Sequence, residues 1–158
     1  MKIIGIDPGT AIVGFGVIEK TGSKLQMLDG GVIRTSPDLN DSERLKIIYD
    51  ELSEIIKQNK PEVMAVEKLF FAQNVTTAMS VSQARGVILL CGEQNSLPVF
   101  EYTPLQIKQA ITGYGRAEKS QIQEMVRVIL RLKEIPKPDD CADALACAIT
   151  QANSANFA

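Results

Sequence analysis

The spacing of apolar residues changes once along this chain, and that change restricts the fold more than any other feature. As far as Ile33 the pattern is strand-like and broken by tight turns. Lys2 to Ile6 is a short apolar strand, followed by Asp7-Pro8-Gly9-Thr10, a turn in which Pro fixes φ and Gly admits positive φ. From Ile12 to Ile18, Val13, Phe15 and Val17 fall on one face, and Gly14 and Gly16 on the other. Leu25 to Ile33 is a third strand, joined through Thr21-Gly22-Ser23. Three strands with tight turns predict an antiparallel meander.

From Leu45 the period becomes helical. Leu45, Ile48, Tyr49, Leu52, Ile55 and Ile56 form one stripe, which Pro61 ends. Val63 to Val66 is a buried strand running into Glu67, and residues 75–95 are a long, mostly apolar helix containing Arg85 and Gly86. Pro98 to Tyr102 is a fifth strand. Ser120 and Gln123 read as a capping box for a helix with Ile122, Met125, Val126, Ile129 and Leu130 on one stripe. Pro138 suits the first turn of a last helix through Ala142, Leu145, Ala148 and Ile149. The order βββ-α-β-α-β-α-α predicts an α/β fold, a mixed five-stranded sheet with helices on both faces. In such sheets ligands sit at the carboxyl ends of strands.

The length, 158 residues, suits one domain, read as residues 1–152 with a short tail at 153–158. No apolar run approaches the ~20 residues of a membrane helix, and the N-terminus turns acidic at Asp7, unlike a secretory signal. The expectation is a cytoplasmic protein with no membrane partner.

Histidine is absent, which excludes Ser-His-Asp and Cys-His mechanisms, His-ligated zinc and a His general base. Cys91, Cys141 and Cys147 lack CxxC spacing and read as reduced, buried thiols. The chemistry is left to carboxylates, lysines, hydroxyls and backbone. Net charge is −2, but it is unevenly spread: −3 over residues 1–67, +4 over 68–137 and −3 over 138–158. A basic middle between acidic ends permits a basic face beside an acidic pocket.

Asp7 and Glu67 each close an apolar strand, where a carboxylate is desolvated and needs a partner. A metal ion is one such partner; an Asx turn at Asp7 or a local cap is the plainer alternative. Asp139 and Asp140 suit the first turn of the last helix, with Asp139 reading best as a cap. Asp143 lies deeper, among Cys141, Ala142, Ala144, Leu145 and Ala146, where an acid needs a reason. Carboxylates without His or Cys form a hard-oxygen set, suited to Mg²⁺ or Mn²⁺ rather than zinc or copper. Two such ions can activate a water and stabilise the leaving oxygen of a phosphodiester.

Six motifs carry a resemblance: Asp7-Pro8-Gly9-Thr10 with Gly14-Phe15-Gly16; Val66-Glu67-Lys68-Leu69-Phe70-Phe71-Ala72-Gln73-Asn74; Gln83-Ala84-Arg85-Gly86; Glu101-Tyr102-Thr103-Pro104 through Lys108; Ala117-Glu118-Lys119-Ser120-Gln121; and Asp140-Cys141-Ala142-Asp143 through Ala146. Together, from residue 1 to about 150, they resemble the RuvC family of Holliday-junction resolvases. The resemblance implies a ribonuclease-H-like nuclease domain and a homodimer that nicks two opposed strands of four-way junction DNA with divalent metal. By motif position it puts the four catalytic acids and metal ligands at Asp7, Glu67, Asp140 and Asp143, with Asp139 adjacent to the third. It puts a junction-opening aromatic at Phe70 and functional lysines at Lys108 and Lys119. It also suggests a branch-migration helicase as partner. Cys141 stands where the family pattern has alanine.

Each of these residues has a plainer reading. Phe70 can pack beneath its loop instead of stacking on a base, and Phe71 reads as core. Lys108 and Lys119 can be solvated lysines instead of phosphate contacts. Arg116, in the Gly113-Tyr114-Gly115-Arg116 loop, is a third phosphate candidate. Arg85 can touch DNA or fix a partner helix, and the apolar excess of residues 75–95 suits either a two-fold dimer contact or a doubly covered core helix. Three competing functions share parts of the pattern. A related short family in RNA processing lacks these Phe, Lys and helix motifs. An actin-like ATPase needs two lobes. An inactive junction-binding module would not need all four acids.

Overall fold

A computed structural model describes residues 1–68 and 75–154. Its elements run β1 (Lys2–Asp7), β2 (Ile12–Thr21), β3 (Lys24–Arg34), α1 (Asp41–Asn59), β4 (Val63–Glu67), α2 (Val75–Gln94), β5 (Val99–Tyr102), α3 (Pro104–Thr112), α4 (Lys119–Ile129) and α5 (Asp139–Asn153). The sheet order is β3-β2-β1-β4-β5. The predicted meander is present: β1, β2 and β3 pair antiparallel, whereas β4 and β5 run parallel to β1. This puts the carboxyl ends of β1, β4 and β5 at one edge, with β1 central.

The sequence reading has one helix too few. Pro104 to Thr112 forms α3, whose N-cap Thr103 accepts from the Gln106 amide at 3.2 Å while Gln106 Oε1 accepts from the Thr103 amide at 2.8 Å. Thr-Pro-x-Gln is a capping box with Pro at the first helical position, and that local signal is what starts this additional helix. The cap of α4 also shifts. Its N-cap is Glu118, and the Gln121 side chain accepts from the Glu118 amide at 2.8 Å, so the Ser120–Gln123 box does not form. α1 ends as expected before Pro61, with Lys60 in the left-handed region at φ 52°.

Alternation along the strands divides the core in two. Ile4, Ile6, Val13, Phe15, Val17, Ile33, Met64 and Val66 pack against α1 and α2. Ile3, Ile18, Val63 and Ala65 pack against α3, α4 and α5. Among the described residues, no helix is long and apolar enough to cross a membrane.

Helix α5 is the most deeply buried of the helices; its residues from Ala144 to Ala152 are all inside. It can lie this close because the strand positions beneath it are glycines. A Cβ on Gly5 would stand 2.0 Å from the Ala144 carbonyl oxygen, and one on Gly16 would stand 2.6 Å from the Leu145 side chain. A Cβ on Gly30 would stand 2.9 Å from Cys141 Sγ. Ala142, Ala144 and Ala148 supply the matching small surface. The glycine face visible in the sequence is therefore the seat of α5.

Candidate active site

The acids sit where parity and packing send them. Asp7 follows Gly5 by two residues and Glu67 follows Ala65 by two, so both carboxylates project to the α5 face. Ile6 is paired with Val66, which makes Asp7 and Glu67 neighbours across the β1–β4 ladder. The first turn and a half of α5 passes over this edge and supplies Asp140 and Asp143. Its height is set at Gly14, the partner of Asp7 in the β1–β2 ladder.

The turn after Asp7 is held by side chains distant in sequence. Thr35 Oγ1 donates to the Thr10 carbonyl at 2.6 Å, Arg44 Nε donates to Thr35 Oγ1 at 2.9 Å, and Thr10 Oγ1 lies 2.5 Å from Ser80 Oγ on α2. These contacts were not read from the sequence, since no local spacing relates positions 10, 35, 44 and 80.

Burial, with the mutual repulsion of the carboxylates, raises the proton affinity of Asp7, Glu67 and Asp143. Burial, followed by the charges of Glu67 and Asp143, a hydrogen bond to Glu67 and the charge of Asp140, pushes Asp7 up to about 9. At neutral pH Asp7 is thus the protonated partner and donates to the Glu67 carboxylate. Burial also raises Glu67, opposed by that hydrogen bond and by the charges of Lys119 and Lys108. Burial likewise raises Asp143, which Lys119 opposes and Asp140 reinforces.

Lys119 opens α4 with its Nζ 3.5 Å from Asp143 Oδ2 and 3.5 Å from Asp139 Oδ2. Burial alone would lower its ammonium, but the two carboxylates outweigh that and hold it above the ordinary lysine range. Lys108 reaches the same place from α3. Both lysines line a cavity of about 230 Å³ with Glu67, Asp143, Pro104, Ile107, Ile122 and Ala146. The basic middle and acidic ends of the chain meet here.

The other expected residues fare differently. Asp139 is exposed and pairs with Lys119 rather than facing Asp7. Arg116 is exposed in the turn between α3 and α4, with no ion pair to the acids among the described residues. Arg85 forms an ion pair with Glu101 of β5. Phe70 and Phe71 lie outside the described residues. The three thiols are buried as read, and Cys147, directly beneath the acids, is raised well above the ordinary thiol value by burial and by the charges of Glu67 and Asp7.

Among the described residues, no three His, Cys, Asp or Glu side chains are already disposed to hold a metal ion together. Asp7 is engaged with Glu67, and Lys119 draws on Asp143. The donor chemistry nevertheless fits a hard divalent cation: only carboxylate oxygens, buried and close enough to one another that Asp7 is pushed up to about 9. Asp7, Glu67, Asp140 and Asp143 are the residues that could hold one.

Comparison with known proteins agrees with this architecture. The family pattern described as "Crossover junction endodeoxyribonuclease RuvC" matches residues 3–151. The chain is 59% identical over 154 residues to the protein of that name from Fusobacterium nucleatum, covering 98% of this chain and 81% of that one. It is 57% identical over 157 residues to the Brevibacillus brevis protein of the same name, covering 99% and 95%. The solved structure of Thermus thermophilus RuvC with a Holliday junction substrate superposes with a TM-score of 0.91 at 41% identity, covering 96% and 93%. With identity at this level along nearly its whole length, the chain belongs to the RuvC family of crossover junction endodeoxyribonucleases.

Proposed function

We propose that this chain resolves Holliday junctions in DNA recombination and repair, by divalent-metal-dependent hydrolysis of phosphodiester bonds in two opposed strands. Residues 1–152 serve as one ribonuclease-H-like nuclease domain, and the protein works in the cytoplasm. The carrying observation is the meeting of Asp7, Glu67, Asp140 and Asp143 at one sheet edge, with Asp7 pushed up to about 9. A purely structural acid would not be placed where three others raise its proton affinity.

Asp7, Glu67, Asp140 and Asp143 would hold two Mg²⁺ ions, with Mn²⁺ as substitute. Such ions supply an activated water and neutralise charge on the leaving oxygen. The protein groups do the rest. Asp7 holds its proton against Glu67 and must release it for the carboxylates to act as ligands. Lys119 pairs with Asp143 and opposes the rise that burial gives its carboxyl. Lys108 and Lys119 offer ammonium groups to a phosphate entering the cavity that Glu67 and Asp143 line. Arg116 adds a phosphate contact outside it, and Phe70, beyond Glu67 in sequence, stacks on an unpaired base.

A two-fold junction calls for two sites at fixed separation, and hence a homodimer. The outward stripe of α2 supports this: Val75 is 75% exposed, Met79 63% and Leu90 52%, and they share one helical face with Gly86. A branch-migration helicase is the further partner the family suggests.

The test is Asp7→Asn on a synthetic four-way junction with Mg²⁺. Nicking is lost and the gel shift without divalent ion is retained. Loss of binding, or undiminished nicking, overturns the assignment.

A further inference from the structure

Arg85 and Glu101 stand in two of the quoted motifs, and the nuclease reading gives neither residue a task. Glu101 is paired in register with Val66, whose side chain packs in the α1–α2 core, so Glu101 also projects to that face, opposite the carboxylates. There it meets Arg85 of α2 in an ion pair. Arg85 Nε and Glu101 Oε1 are buried and find no hydrogen bond beyond this pair among the described residues, so each group depends on the other for its charge balance.

The next residue is held from the other side. Tyr102 Oη donates to Gln151 Oε1 at 2.5 Å and lies 3.0 Å from Ser154 Oγ, both near the end of α5. The Tyr102 carbonyl accepts from the amide of Lys68, the residue after Glu67, at 2.7 Å. Thr103 then caps α3, and α3 carries Lys108 into the cavity with Glu67 and Asp143. The end of β5 is thus fastened to both helical layers immediately before the helix that supplies a lysine to the site.

We propose that Arg85 is a positioning residue, whose ion pair with Glu101 fixes the end of β5 and thereby sets where α3 presents Lys108 to Glu67 and Asp143. This rests on the nuclease reading above. Arg85 works through Glu101 and not by touching DNA.

The experiment compares Arg85→Gln, Glu101→Gln, the double variant and Arg85→Lys, each with and without Lys108→Ala, in the full chain. Three quantities are read: single-turnover nicking of a four-way junction with Mg²⁺, junction affinity by gel shift without divalent ion, and melting temperature. Each Gln variant slows nicking by about 10- to 100-fold, because misplacement on the scale of an ångström costs that much. The double variant is no worse than either single variant, Arg85→Lys restores most of the rate, and affinity changes by less than about twofold. On the Lys108→Ala background, Arg85→Gln costs almost nothing further. Should a Gln variant melt early, the exchanged pair, Arg85→Glu with Glu101→Arg, restores both stability and rate. Weaker binding in Arg85→Gln but not in Glu101→Gln overturns the proposal in favour of a DNA contact, as does an undiminished cost on the Lys108→Ala background. Nicking by the unaltered chain, abolished by Asp7→Asn, decides the nuclease reading separately.

Discussion

Gly14 lies directly against Asp140: a Cβ built on Gly14 would stand 2.0 Å from the Asp140 carbonyl oxygen. The same glycine is paired across the ladder with Asp7, so one missing side chain sets the distance between the strand-end acid and the helix acids. Gly14→Ala must lift the start of α5 off the sheet. We expect a loss of about 1–3 kcal/mol, the usual cost of overpacking a tight contact, read from the denaturation midpoint. Nicking should fall by more than the stability loss explains, because Asp140 and Asp143 move with the helix. A Gly14→Ala variant as stable and active as the parent would refute the seating argument.

The metal-free protein should lose stability as pH rises. Asp7 titrates at about 9 when folded, against an ordinary value of 3.8. Between those values the folded chain binds one more proton at this site than the unfolded chain, and stability therefore falls with rising pH through that window. A divalent cation competes with the proton, so added Mg²⁺ should raise the melting temperature more at pH 9 than at pH 6. Calorimetry in buffers of different ionisation heat should detect proton release on binding. Asp7→Asn should abolish the release. A melting temperature that climbs with pH in chelator would contradict the protonated Asp7.

Lys119→Ala should slow nicking by about 10²–10³-fold, the scale for removing one charge-stabilising donor. A second signature separates this from lost DNA affinity. Lys119 holds the Asp143 carboxyl down against burial, so its removal raises Asp143 further. The acid limb of the pH–rate profile should shift to higher pH, and higher Mg²⁺ should partly compensate. An unchanged limb would leave Lys119 as a phosphate contact alone.

Leu90→Glu should convert the proposed homodimer to a monomer in sedimentation. Leu90 is 52% exposed on the outer face of α2, so the charge costs the fold of the single chain little. Junction nicking should then become uncoupled between the two strands. A Leu90→Glu variant that remains dimeric would place the contact elsewhere.

The thiols should be inert in the native state. Burial raises all three, Cys141 to about 11 and Cys147 well above the ordinary thiol, and all are buried. Iodoacetamide at pH 7.5, followed by mass spectrometry, should label none of them until denaturant is added. Cys141→Ala should be tolerated.

Much of this was open to inspection in one dimension. The switch from period two to period 3.6 announces the meander and the later βα alternation, because burial of one face is a local constraint that repeats along each element. The strand-end acids at Asp7 and Glu67 are legible for the same reason: an apolar run ending in a carboxylate marks a charge at the border of the core. The helix at Pro104 is announced only by its cap, Thr103 with Gln106, because it is too short for a clear apolar stripe, and α4 is capped at Glu118 rather than Ser120 because several polar residues there compete for the cap.

Residue order alone tells which side chains are available for chemistry: no histidine, three quiet thiols, and carboxylates at the ends of apolar segments. It also shows glycines alternating with large apolar residues along β2. That those glycines receive α5, that Asp7 shares a proton with Glu67, and that Lys119 stands between Asp139 and Asp143 depend on groups dozens of residues apart being packed together. Such proximity is created by burial and close packing in three dimensions, which no spacing along the chain encodes.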